Sequence, residues 1–280
     1  MNMTRKTRVD EVSQYYKPAA QIGFVIFLLF WVTALLSLCM PFSEKLGVHF
    51  QNILQSVFIV FVIAHFATSQ INRFYLIPRA ERMRRKQMIS DAFGTNLSHD
   101  KTSLYYNNEY LPSVNRLGAN TIENALFSKE VVASMLCSKR IITSGYVAIW
   151  VLAFALRHNN LEILTWITQI VFSGAIIAQW MNLEVLRFRH ENTYEQLHYH
   201  FLHEISENSP RAVATILDAF VAYESAKSSA GCLLSSKVFN KLNPEITKKW
   251  DQIRQELNMN FQQDAALDGD SAGASSPTVS

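Results

Sequence analysis

Four long stretches without a Lys, Arg, Asp or Glu constrain this chain more than any other feature. They are Ile22–Met40, Phe50–Asn72, Ile141–Leu156 and Ile163–Leu183. A helix needs roughly 20 apolar residues to cross the hydrocarbon of a bilayer. The third stretch is the shortest and the fourth is closed by Glu184. Two of the four have no polar face wide enough to meet water, which makes buried helices of a soluble all-α domain the weaker reading. Short connectors, Pro41–His49 and Arg157–Glu162, join the stretches in pairs. The pattern predicts an all-α integral membrane protein with four transmembrane helices arranged as two hairpins. No small-x-small cleavage site follows the first stretch, so it reads as a span and not as a signal peptide.

The organisation follows from these blocks. Residues 1–72 form an N-terminal segment and the first hairpin, and 73–140 a cytoplasmic middle segment. Residues 141–183 form the second hairpin, 184–262 the cytoplasmic C-terminal helices, and 263–280 a small, polar tail expected to be disordered.

Lys and Arg give the orientation. Arg5, Lys6, Arg8 and Lys17 precede the first span, and Arg73, Arg79, Arg82, Arg84, Arg85 and Lys86 follow the second. Lys139 and Arg140 precede the third, and Arg187 and Arg189 follow the fourth. The hairpin connectors hold only Lys45 and Arg157. The positive-inside rule then puts both termini and the middle segment in the cytoplasm. Arg79, Arg82, Arg84, Arg85 and Lys86 read as a topology anchor at the membrane surface that meets anionic lipid. A formal net charge of +3 does not argue for direct nucleic-acid binding. Cys39, Cys137 and Cys232 share no short spacing, so they form neither a disulfide framework nor a zinc motif.

The water-facing parts read as helices. A basic helix leaves the second span near Pro78 and stops near Gly94. Ile122, Ala125, Leu126, Val132, Met135 and Leu136 mark one or two amphipathic helices, with Asn120 or Thr121 as a cap. The fourth span continues into the cytoplasm through Leu186, Tyr194, Leu197, Phe201 and Ile205. A further helix starts at Pro210, and a last one with Asn243 as its cap and Pro244 at its first position. No stretch alternates as a sheet strand would.

Chemistry-bearing motifs are few. Glycine-rich phosphate loops, a nucleophile elbow and HExxH are missing from the sequence, and an enzyme is not expected. Glu195, His198, His200 and His203 form the one metal-like cluster, but Glu-x-x-His occurs only once, so a solvated helix face is preferred and neither a cofactor nor a metal is assigned. Polar residues inside the spans carry more. Gln55, His65, Ser69 and Asn72 share a sector of the second span, with Phe58 and Val62 between them. Thr165, Gln169, Ile176 and Gln179 share one in the fourth. These ten are candidate pore-lining residues if several copies surround an axis; packing inside one four-helix bundle is the alternative.

The segment Ser90–Tyr110 is polar and aromatic. Asn96, Asp100, Lys101, Tyr105, Tyr106, Asn107 and Asn108 could bind a small signal by stacking and hydrogen bonding, clamp a neighbouring subunit, or remain a solvated loop.

Two hairpins, a basic helix leaving the second span and the run "QMISDAFGTNL" together resemble the four-transmembrane, SLATT-type proteins of bacterial conflict systems. The family often shows a Phe-Asp-Thr motif there; this chain has Phe93-Gly94-Thr95. The resemblance implies a pore-forming effector of antiviral defence in the bacterial inner membrane. It would act in abortive infection as a homo-oligomeric ion channel, paired with a sensor protein that often makes a cyclic nucleotide. The expected function is therefore a gated pore. The alternatives are a membrane-anchored sensor or scaffold without conductance, and a metal-dependent membrane enzyme built on the histidine cluster.

Overall fold

In the computed structural model the chain is all-α. The structure describes residues 9–43, 47–100, 102–103, 105–106, 108, 110–155, 175–203 and 209–259. Val9–Asp10 (β1) pairs antiparallel with Thr102–Ser103 (β2), a ladder of two residues on each side. A 3₁₀ turn, Glu11–Tyr15, leads into α1 (Tyr16–Ser43). Then come α2 (Val48–Ile71), a π-turn (Asn72–Leu76) and α3 (Ile77–Phe93). The long α4 (Val114–Ala155) and α5 (Ala175–His203) follow, then α6 (Pro210–Ala230) and α7 (Ser236–Glu256).

Two helical stretches among the described residues are long and apolar enough to cross a membrane: Glu11–Ser37, and the run from Val48 to Phe93 that contains α2. They pack on each other as an antiparallel pair. The more covered positions along α2 and into the π-turn recur at Leu54, Phe58, Phe61, His65, Thr68 and Asn72. Those of α1 recur at Ala19, Gly23, Ile26, Phe30, Thr33, Ser37 and Met40. Steps of three and four residues are those of a left-handed two-helix seam. Outside the seam the pair is little covered by the described residues: no residue of α2 is buried, and Phe24, Val60 and Phe66 are all more than 60% exposed. Ile141, Val151 and Leu152 of α4 and Met181 and Val185 of α5 are exposed apolar side chains as well. Residues 156–174, between α4 and α5, lie outside the described residues and include the larger part of the expected fourth span.

The π-turn has a local cause. Pro78 lacks an N–H and its ring would meet the carbonyl of Phe74 in a regular α-helix. The wider turn at Asn72–Leu76 absorbs that conflict and carries the helix on into α3. α3 ends at Gly94, whose φ of 63° is left-handed, as expected of a residue just past a helix.

The polar end of the molecule is a helical module. Its main cluster takes Ile122 and Leu126 from α4, Leu197 from α5, Ile216 and Ala219 from α6, and Ile246, Trp250 and Ile253 from α7. A second cluster, Val132, Leu136, Leu183, Leu186 and Ala226, continues it along α4 and α5. A third, Met88, Ala92 and Leu117, attaches α3. Val9 pairs with Ser103, and Met259 lies in the main cluster, so both ends of the described chain belong to this module.

Two helix starts differ from the sequence expectation. α4 begins at Val114, so Asn120 and Thr121 are buried inside it and cap nothing; Thr121 instead donates to the Leu117 carbonyl at 2.7 Å. It then runs unbroken through Lys139 and Arg140 into the third apolar stretch. α7 begins at Ser236, with the Ser235 hydroxyl accepting from the Val238 N–H, and Pro244 lies inside the helix. Val238, Phe239 and Leu242 pack on the main cluster, and that burial outweighs the interior proline.

Trp250 is fully buried at the meeting point of four helices. Trp250→Ala should cost about 3–5 kcal/mol, read as a lowered melting temperature of the detergent-solubilised protein. A loss below about 1 kcal/mol would show that this cluster is not the module's core.

Candidate functional site: a polar cavity at the root of the first hairpin

A cavity of about 460 Å³ lies where the N-terminal segment, α3, α4 and α6 meet. Pockets for small ligands fall in this size range. The N-terminal segment reaches it because β1 is fixed to β2, which orients Asp10 toward α3. The Arg84 guanidinium donates to both Asp10 carboxylate oxygens, at 3.0 and 2.9 Å. Arg84 also lies over the Tyr105 ring at 4.4 Å and the Tyr16 ring at 5.8 Å. Burial opposes its charge, and Tyr105 and Asp10 overcome that, keeping it protonated.

On the facing wall Lys227 sits between two carboxylates, 2.7 Å from Glu81 and 3.0 Å from Glu224. Burial disfavours the ammonium, but Glu81, Tyr223 and Glu224 hold its pKa well above that of free lysine. Burial likewise pushes the Tyr223 phenol up to about 12. Its hydroxyl pairs with Ser128 at 3.2 Å. The remaining wall mixes Asn124 and Asn240 with Met88, Phe127, Val131 and Phe239. Asp10, Glu81, Arg84 and Lys227 all line the cavity, so its charges balance. An anionic ligand could gain Arg84 or Lys227 only by replacing a carboxylate that the protein already supplies.

The described residues of the Ser90–Tyr110 segment bond to other parts of the same chain. Asp100 accepts from Gln14 at 3.2 Å and from Ser98 at 3.1 Å, and Thr102 pairs with Gln87. Tyr106 stacks edge-on against Tyr105 and receives a bond from Asn124 at 3.3 Å. Asn108 donates to Asn120, Asn120 to Asp91, and Asp91 takes a bidentate pair from Arg116 at 3.2 and 2.9 Å. Tyr105 lines the cavity; Asn96 is exposed; Lys101 and Asn107 lie outside the described residues.

The basic helix divides in two. Arg79, Arg82 and Lys86 are exposed. Arg84 is turned inward, and Arg85 lies 3.8 Å from Glu224. Of the span residues, Phe58, His65, Ser69 and Asn72 lie on the side of α2 toward α1. His65 meets Phe30, with ring centroids 6.2 Å apart, and Asn72 sits against Gly23, where an added Cβ would lie 3.9 Å from its amide nitrogen. Gln55 and Val62 are exposed on the flanks of that seam. Gln179 accepts from Lys139 at 3.1 Å. Ile176 is described through its backbone alone, and Thr165 and Gln169 lie outside the described residues. In the histidine cluster, His198 packs on Tyr194, His203 stacks on Tyr199 at 4.2 Å, and His200 is buried beside Phe201. Among the described residues no three His, Cys, Asp or Glu side chains are grouped to hold a metal.

Sequence reasoning passed over Asp10, Glu81, Glu224, Lys227 and His190. For Lys227 the signal was present: a lysine on the buried stripe of α6 with Ala219, Tyr223 and Ala226. No family model, curated protein or solved structure matches the chain.

His190 is fully buried against Tyr223, ring centroids 5.0 Å apart, and neither ring nitrogen has a partner among the described residues. Burial, with the nearby Lys227 charge, lowers its pKa to about 3. A histidine depressed in the folded state favours folding fully above the unfolded value of about 6.5 and loses that advantage as pH falls toward 3. Unfolding free energy should therefore decline by up to about 1.4 kcal/mol per pH unit below pH 6.5. His190→Phe should flatten that decline in melting experiments from pH 7.5 to pH 5; an unchanged slope would assign it to other groups.

Proposed function

We propose that this protein is a signal-gated effector of the bacterial inner membrane. It has four spans and both termini in the cytoplasm, and it assembles as a homo-oligomer that opens a path through the bilayer. The observation that carries the gating part is the Asp10–Arg84 pair. It ties the segment entering α1 to the helix leaving α2, at the wall of a ligand-sized cavity. Membership of both ends of the described chain in one helical module supports a common side for the termini. The SLATT-type resemblance supports permeabilisation in antiviral defence as the outcome.

The mechanism is a carboxylate exchange. An anionic small molecule, with a cyclic nucleotide as the class, competes with Asp10 for Arg84 and stacks on Tyr105 or Tyr16. Losing Asp10 frees the 3₁₀ turn and the start of α1. The two helices of the first hairpin then part along their seam, and His65, Ser69 and Asn72 turn toward the path. Such a signal acts only in so far as it binds the open arrangement more tightly than the closed one.

Purified protein in liposomes loaded with a fluorescent dye tests this reading. Wild type should hold the dye until a cyclic mono- or dinucleotide is added. Asp10→Asn, which weakens the tie without a ligand, should leak several-fold faster from the outset. Leakage from neither, together with a monomeric particle by light scattering in detergent, would overturn the pore.

A further inference from the structure

A second cleft, of about 330 Å³, opens beside the first and is independent of the gating reading. It is bounded by the π-turn, the start of α3 and the end of α6. Arg73, Arg79, Arg82 and Arg85 line it, against only two carboxylates, Glu81 and Glu224. Both carboxylates already face Lys227, and Arg85 lies 3.8 Å from Glu224. Among the described residues no ion pair holds Arg73, Arg79 or Arg82. Arg73 lies over the Phe74 ring at 5.8 Å and Arg79 over the Tyr15 ring at 5.7 Å. Stacking of this kind leaves the N–H edges of a guanidinium available to phosphate oxygens. The cleft is thus a concentration of positive charge that the described residues do not neutralise.

Its position selects the ligand. Phe74 and Tyr75 also line the cleft, are 71% and 59% exposed, and directly follow the uncovered apolar length of α2. Aromatic side chains at that boundary mark the depth of lipid headgroups. Basic pockets at the ends of spanning helices suit anionic headgroups. The π-turn widens the helix where the cleft needs room. We propose that this cleft holds the phosphate headgroup of an anionic phospholipid, with Arg73, Arg79 and Arg82 as its ligands and Phe74 and Tyr75 against its glycerol and acyl region.

The test is calorimetric titration of the full chain in neutral detergent with short-chain phosphatidylglycerol and, separately, phosphatidylcholine. Phosphatidylglycerol should bind saturably and phosphatidylcholine should not. Arg79→Gln with Arg82→Gln should weaken binding by about tenfold or more, while Lys241→Gln with Lys248→Gln, the same charge loss on exposed positions of α7, should change it little. If the double variant melts early, Arg82→Gln alone, at an exposed position, should still weaken binding several-fold. Equal binding of the two lipids, or unchanged affinity in the arginine variants, would overturn the site. Displacement of phosphatidylglycerol by inorganic phosphate at millimolar concentration would assign the cleft to a soluble phosphate and overturn the lipid reading.

Discussion

The apolar surface of α1 and α2 is the constraint on which the rest depends. No residue of α2 is buried by protein. Each Å² of such surface would cost roughly 25 cal/mol against water, and the pair spans two long helices. Hydrocarbon removes that cost but imposes another, since polar groups in lipid need partners or shelter. The pair meets this by turning His65, Thr68 and Asn72 into its own seam. Thr68 bonds back to the Ala64 carbonyl, and Asn72 is buried opposite Gly23. The seam therefore holds these polar groups away from the exposed apolar surface of the pair, and it opens only if the helices separate.

What would hold the helices together or release them sits at their polar ends. Buried charges are expensive, and removing one partner of a buried pair leaves the other uncompensated. Asp10–Arg84 and the Glu81–Lys227–Glu224 group both obey this rule. Each group ties a partly buried charge to its partners, and so to one arrangement. A contact of that kind suits a switch better than a greasy one does, because an incoming anion can take over the cation while the displaced carboxylate turns out to water.

Much of the helical architecture could be read from periodicity and punctuation. The stop of α3 at Gly94 and the start of α6 at Pro210 follow from local stereochemistry alone. The start of α7 does not. Ser235 and Asn243 are both competent caps, and packing of Val238, Phe239 and Leu242 selects the earlier one. The site was half legible. On α3, Ile77, Ala80, Arg84, Met88 and Ala92 fall on one stripe at steps of three and four, so Arg84 shared a face with core residues. Its partner Asp10 lies far away in sequence, and nothing local announces the pairing. The clamp of Asp91, Arg116, Asn108 and Asn120 is likewise tertiary; the residues advertised hydrogen bonding but not its direction.

The two cavities share one wall. Glu81 lines both, and Glu224, which lines the basic cleft, meets the other cavity through Lys227. An anion in the cleft would draw Arg85 away from Glu224, whose carboxylate would then depend on Lys227 alone. Lys227 would bind its carboxylates more firmly and become harder for a ligand in the first cavity to recruit, leaving Arg84 as the easier target. Coupling of this kind is reciprocal in free energy. A signal that rearranged Lys227 would change headgroup affinity by the factor with which the headgroup changes affinity for the signal. Membrane composition and soluble signal would then act on a single buried ion group.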